Sequence, residues 1–183
     1  MDTVPPAALT PESAVLVPVP EAERAVGRHR AQLDDAAALG VPAHVTVLYP
    51  FVPPPAITAA TIEALAAAVG AVRAFGCRFP ATAWFGREVM WLAPRPDEPF
   101  RALTRAVQAA FPGYLPYRGV HDDVVPHLTV GARPAGSVAE LLAAEAEVAG
   151  ALPVSARVRH VWLMAGTAAT GSWRTVAELP LAA

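Results

Sequence analysis

Two short segments of this chain carry the same set of reactive side chains. Pro42-Ala43-His44-Val45-Thr46-Val47-Leu48-Tyr49-Pro50-Phe51 contains His-aliphatic-Thr-Val, and Val125-Pro126-His127-Leu128-Thr129-Val130-Gly131 contains it again. Each copy closely follows a proline and lies in an apolar, β-branched context that predicts a strand. Side chains alternate across a strand. His44 and Thr46 therefore share one face while Val45 and Val47 take the other, and His127 and Thr129 stand likewise against Leu128 and Val130. A single His-x-Thr on a strand is ordinarily structural. Two copies, 83 residues apart in a chain with five histidines, are not expected by chance.

Imidazole titrates near a pH of about 6.5, so at neutrality one ring can be neutral and another protonated at little cost. The neutral ring can take a proton from water or a hydroxyl, and the protonated ring can give one to a leaving oxygen. Threonine hydroxyls two residues along the same face can donate to the non-bridging oxygens of a phosphate. The chemistry this suits is in-line displacement at phosphorus. That inventory requires no metal; positioning and charge stabilisation would supply most of the rate.

The elements that must position these groups follow from periodicity and punctuation. Ser13 to Val19 reads as a strand, with Pro18 marking an edge or an end. A helix opens at Pro20, Glu21 and Glu23 and runs to about Leu39, stopping at Gly40. The first motif strand spans His44 to Tyr49, and Pro50 to Pro55 break it. A helix over Thr58 to Ala74 precedes a strand from Cys77 to Phe85, a turn at Gly86 to Glu88 and a returning strand from Val89 to Ala93. Asp97 is a candidate cap for a helix from Glu98 to Phe111. A long connection, Pro112 to Asp123, leads to the second motif strand, Val124 to Ala132; connections of that length are often functional. Ser137 caps a helix to about Ala149. Strands at Val154 to Ala165 and Trp173 to Leu181 close the chain. The order is β-α-β-α-β, then β-α-β-α-β-β, close to a tandem repeat with one motif strand in each half. We expect a single α+β domain over residues 1–183, bilobal, with pseudo-repeats at roughly 13–86 and 87–181. Two such halves related by a pseudo-two-fold axis would bring both motifs to one cleft.

At this point the chain resembles the 2H phosphoesterase superfamily, which carries doubled His-Φ-Thr-Φ motifs on strands of two similar halves. The extension Leu48-Tyr49-Pro50-Phe51 makes it most similar to the 2′-5′ RNA ligase branch. The resemblance covers essentially the whole chain. It implies a bilobal α+β fold with antiparallel-rich sheets, helices outside and the active site in the cleft between. It implies hydrolysis of 2′,3′-cyclic phosphates on RNA ends, short oligonucleotides or nucleotides, with the reverse 2′-5′ joining in some members, and no metal or organic cofactor. His44, Thr46, His127 and Thr129 match the family's four catalytic positions.

Composition narrows the substrate. With 54% hydrophobic and 16% charged residues the chain is expected to bury a substantial core. A net charge of −2 argues against a broad basic face for duplex DNA, and Lys and Arg are scarce near the motifs. A small nucleotide or an RNA 3′-end with a cyclic phosphate is the expected partner, bound by a monomer. Cys77 is the only cysteine, which excludes an internal disulfide and fits a reducing compartment. The Met1 to Pro6 start lacks the features of a signal peptide, and the Ala-rich stretch from Ala56 to Phe75 reads as a buried amphipathic helix rather than a membrane span. The cytoplasm is the expected location.

Other residues have competing readings. Phe51, Tyr49 and Arg133 are candidate substrate contacts, the first two by stacking a base. Strand phase assigns Tyr49 to the face opposite His44, and the direction of Phe51 beyond Pro50 is open. His121-Asp122-Asp123 with His127 offers an alternative metal cluster, although such a loop is more often turn chemistry. His29 is expected on a solvated helix face. The same cleft could also serve a binding module that recognises a phosphate end without turnover.

Overall fold

The computed structural model of the protein describes residues 10–119 and 124–183, leaving the side chains of 117 and 118 aside. The His121-Asp122-Asp123 cluster lies outside the described residues. In chain order the elements are β1 (Glu12–Pro18), α1 (Glu23–Leu33), α2 (Asp35–Ala38), β2 (His44–Leu48), α3 (Ala59–Gly70), β3 (Phe75–Phe79), β4 (Thr82–Phe85), β5 (Val89–Leu92), α4 (Glu98–Ala110), β6 (Leu128–Ala132), α5 (Val138–Ala149), β7 (Val154–Val158), β8 (His160–Gly166) and β9 (Arg174–Pro180).

Several expected elements divide, each for a local reason. The helix expected to run to Leu39 ends at Leu33, because Asp34 adopts an extended conformation (φ −134°, ψ 110°) and its carboxylate accepts from the Ala36 N–H to start α2. The strand expected over Cys77 to Phe85 breaks around Pro80, which cannot donate to a ladder, into β3 and β4. The strand expected over Val154 to Ala165 breaks at Arg159 into β7 and β8. The second motif strand starts at Leu128 rather than Val124, so His127 sits just ahead of it. Asp97 does occupy the N-cap of α4, but its carboxylate is taken by Arg101 and caps no N–H of the helix. Ser137 caps α5 as expected, in a reciprocal box with Glu140. Thr58 and Thr61 form the same device ahead of α3.

These breaks build the topology. Among the described residues three antiparallel sheets form, with strand orders β2-β1-β8-β9, β4-β5-β6 and β3-β7. β2 and β6, the motif strands, each lie at an open edge of their sheet, and they pack beside one another without sharing a ladder. Each is flanked by the strand that precedes it in the chain, β1 or β5, and then by a strand from the other half of the chain, β8 or β4. The breaks at Pro80 and Arg159 are what let β4 and β8 leave β3 and β7 and cross over. Val15, Val45, Val47, Leu92, Leu128, Val130 and Leu163 are all buried in one apolar cluster, so the two larger sheets share a core.

Both motif strands carry the same irregularity. Leu16 pairs with Thr46 and Val15 with Leu48, which skips Val47; Trp91 pairs with Thr129 and Met90 with Gly131, which skips Val130. One extra residue after each motif threonine is a β-bulge, and a bulge reverses the phase of alternation beyond it. Val47 and Leu48 both enter the core in consequence, and Tyr49 returns to the side of His44 and Thr46. The opposite-face expectation for Tyr49 assumed a regular strand and is corrected by this bulge.

Gly131 follows the second bulge for a steric reason. A β-carbon there would meet Leu141 Cδ2 at 2.6 Å and Leu33 Cβ at 2.8 Å, so only glycine lets α1 and α5 close onto β6.

Candidate active site

His44, Thr46, His127 and Thr129 line a single cavity of about 280 Å³. Ala14, Leu16, Asp34, Ala36, Leu39, Val41, Tyr49 and Trp173 complete its wall. Alternation on β2 and the start of β6 presents the four motif side chains, each half-buried, while Val45, Val47, Leu128 and Val130 are buried behind them.

The two imidazoles are held alike. His44 Nδ1 lies 2.7 Å from the Pro42 carbonyl oxygen, and His127 Nδ1 lies 2.7 Å from the Val125 carbonyl oxygen. A carbonyl oxygen only accepts, so both rings carry their proton on Nδ1. Nε2 is then the nitrogen left for the cavity on each ring, bare when neutral and a donor when protonated.

Their surroundings differ. Burial pushes the His44 pKa down to about 4, helped by the positive charge of Arg30 and by His127, with the Pro42 carbonyl opposing. Burial also lowers His127, with the Val125 carbonyl opposing. Both shifts favour the neutral ring at pH 7. Around His127 stand two aromatic rings: Phe85 at 5.0 Å edge-on and Trp91 at 5.8 Å, themselves stacked at 4.7 Å. Trp91 Nε1 is buried with no hydrogen-bond partner among the described residues. Phe85 is 36% exposed, a large apolar ring presented to solvent beside His127.

On the other side Tyr49 and Trp173 form a tilted aromatic pair with centroids 6.4 Å apart. The Tyr49 hydroxyl donates to Glu12 Oε2 at 2.7 Å, which leaves its ring as cavity wall. Phe51 does not reach the cavity: it is buried against Phe111 and Tyr114, with centroids at 4.9 and 5.7 Å. Arg133 does not reach it either, since it lies on the surface facing Glu88 at 3.3 Å.

Behind His44 lies a polar group that strand and helix periodicity did not bring forward. Arg30, 2% exposed, donates through Nε to Asp34 Oδ2 at 3.0 Å and through Nη2 to the Val41 carbonyl at 3.2 Å. Glu23 accepts from the Ala43 N–H at 2.7 Å. A signal for Arg30 was present, because Val26, Arg30 and Leu33 fall on one helical face, and a charge on an apolar face needs a partner. His29, expected in solvent, is instead 9% exposed and lies 3.6 Å from Glu147. Among the described residues no three His, Cys, Asp or Glu side chains cluster so as to hold a metal ion.

A model of the 2′-5′ RNA ligase superfamily matches residues 18–169. The chain belongs to this superfamily. Among solved structures it is similar to apo LigT of E. coli, at 19% identity and a TM-score of 0.59, covering 95% of this chain and 99% of that one. LigT complexed with NADP+ matches at 18% identity and a TM-score of 0.58, covering 96% and 100%. The protein TT0787 of Thermus thermophilus matches at 16% identity and 0.59, covering 92% and 97%. At these identities the structural likeness speaks for the fold: a mixed α+β architecture of antiparallel sheets shared with phosphoesterases of the LigT type. A search of curated proteins finds no match. Among the described residues no helix is long and apolar enough to cross a membrane.

Proposed function

We propose that the protein is a metal-independent phosphodiesterase that hydrolyses a 2′,3′-cyclic phosphate on a nucleotide, a short oligonucleotide or an RNA 3′-end. The observation that carries this reading is the matched pair of Nδ1-anchored imidazoles in one cavity with two threonines. One neutral Nε2 takes a proton from water as the water oxygen bonds to phosphorus. The other Nε2, protonated on substrate binding, gives its proton to the departing ribose oxygen as that P–O bond breaks. Water is added across the ring, leaving a phosphomonoester and a free hydroxyl. Thr46 and Thr129 donate to the non-bridging oxygens. Each Nδ1–H···O=C bond steadies the imidazolium whenever its ring is charged. With the 5′-hydroxyl of a second strand in place of water, the same displacement forms a 2′-5′ linkage as the bond from phosphorus to the 3′-oxygen breaks and that oxygen takes the proton.

The cavity supports a small substrate. Its volume, about 280 Å³, is at the low end for ligand sites of roughly 300–1,000 Å³. Its wall of Leu16, Leu39, Val41, Tyr49 and Trp173 suits the flat, largely apolar face of a nucleoside, and among the described residues its lining includes no Lys or Arg. Crystals of LigT with phosphate, 3′-AMP and ATP are consistent with a nucleotide at such a site. The likeness of the two chain halves adds support, and we read them as two copies of one unit within a single domain.

The test is a panel of 2′,3′-cyclic nucleotides and cyclic-ended oligonucleotides, with and without EDTA. Turnover should survive the chelator. His44→Ala and His127→Ala should each lower kcat by about 10²–10⁴-fold with the fold intact. Wild-type turnover in either variant would overturn the reading. Tight nucleotide binding with no product would point instead to a binding module.

A further inference from the structure

Three residues before each motif histidine, a valine carbonyl receives a hydrogen bond from a helix arginine. Arg30 Nη2, on α1, donates to the Val41 carbonyl at 3.2 Å, and Arg101 Nη1, on α4, donates to the Val124 carbonyl at 3.1 Å. Each arginine also donates through Nε to Oδ2 of an aspartate four residues away, Asp34 at 3.0 Å and Asp97 at 2.9 Å. The carbonyl of the very next residue, Pro42 or Val125, is the one that receives the histidine Nδ1–H.

Duplication of sequence does not produce this match. Asp34 follows Arg30 at the C-terminal end of α1, whereas Asp97 precedes Arg101 at the N-terminal end of α4. Arg30 lies 11 residues ahead of its valine and Arg101 lies 23 ahead. Two different local routes reach the same pattern of bonds around the two histidines.

The pattern has a physical use. Val41, Pro42 and residues 124–127 lie outside any strand, so no sheet ladder fixes their peptide planes. Fixing the plane that carries the valine carbonyl restricts the backbone rotation that aims the next carbonyl. A guanidinium can hold a carboxylate and a carbonyl at once through its rigid fork; an ammonium has no such geometry. The helices add a reference frame. α1 packs on β6 and α4 packs on β2, so each clamp ties one histidine's approach segment to a helix resting on the other motif strand.

We propose that Arg30 and Arg101 are positioning residues. By holding the Val41 and Val124 carbonyls they aim the Pro42 and Val125 carbonyls, which keep both imidazoles protonated on Nδ1 and Nε2 turned to the cavity. The consequence for turnover rests on the phosphodiesterase reading; the consequence for the rings does not.

Arg101 is the better target, since its side chain is 26% exposed against 3% for Arg30. Arg101→Ala and Arg101→Lys are compared with wild type and with Arg105→Ala, an exposed arginine of the same helix that faces Glu98. Long-range ¹H–¹⁵N correlation reads the tautomer of each ring at pH 7.5. In wild type both rings should be in the Nδ1–H form; in the Arg101 variants His127 should become a mixture while His44 is unchanged. On a 2′,3′-cyclic nucleotide kcat should fall about 10-fold or more, as for other groups that orient a working histidine, with KM moving less than about two-fold. Guanidinium ion should restore part of the loss in Arg101→Ala. Arg105→Ala should behave as wild type.

A His127 ring that stays wholly Nδ1–H in the Arg101 variants overturns the proposal, as does a wild-type kcat in an active enzyme. If the tautomer shifts but no form of the protein turns over a cyclic phosphate, the clamp stands and the phosphodiesterase reading falls. Should Arg101→Ala not fold, Arg101→Lys, which keeps a cation beside Asp97, carries the same comparison.

Discussion

Replacing His44 by glutamine should change how stability depends on pH. The His44 ring sits at about 4 in the folded chain against about 6.5 when unfolded. Between those values the unfolded chain binds a proton that the folded chain refuses. Folding stability therefore falls as pH drops from about 6.5 toward 4 and is unaffected by this group above 6.5. At about 1.4 kcal/mol per unit, a gap of roughly 2.5 units gives a ceiling of about 3.5 kcal/mol. The ring is half-buried and faces a cavity that water can enter, so half of that, about 1.7 kcal/mol, is the expected size. Urea melts of wild type and His44→Gln at pH 7.5, 6.5, 5.5 and 4.5 measure it. Glutamine keeps an amide donor for the Pro42 carbonyl and cannot titrate. Carboxylates common to both proteins cancel in the difference, so the variant should gain on wild type steadily below pH 6.5. Parallel pH curves over that range would refute the argument that His44 is held neutral by its surroundings.

Two further outcomes follow from the same geometry. Gly131→Ala should destabilise the fold by about 1–3 kcal/mol, because its methyl would strike Leu33 and Leu141 where α1 and α5 meet β6, and thermal melting measures the loss. Binding of sulfate, an anion that does not titrate near neutrality, should draw protons onto the imidazoles at pH 6.5, since burial holds both below the ordinary imidazole range. Calorimetry in buffers of different ionisation enthalpy reads that uptake, and an enthalpy independent of buffer would count against an anion seated between the rings.

Period-two alternation and β-branched context were enough, from sequence, to mark the motif strands, to pair His44 with Thr46 and His127 with Thr129, and to sink Val45, Val47, Leu128 and Val130. These are short-range properties of an extended chain with one face buried, and a few neighbouring residues decide them. The Ser137 cap was legible for the same reason. The phase of Tyr49 was not, because a bulge is a mismatch between two strands and is invisible in either one alone. Nor was the exchange of β4 and β8 between sheets, which depends on where distant strands find partners once Pro80 and Arg159 interrupt the chain. The Arg30–Asp34 and Arg101–Asp97 pairs could be noticed as four-residue spacings, yet their hold on Val41 and Val124 exists only when α1 and α4 are docked. Local residue order therefore selected the reactive groups and the faces they occupy. Packing between remote elements decided which of them meet, how each imidazole is tethered, and which aromatic rings form the walls, because those choices depend on contacts among residues far apart along the backbone.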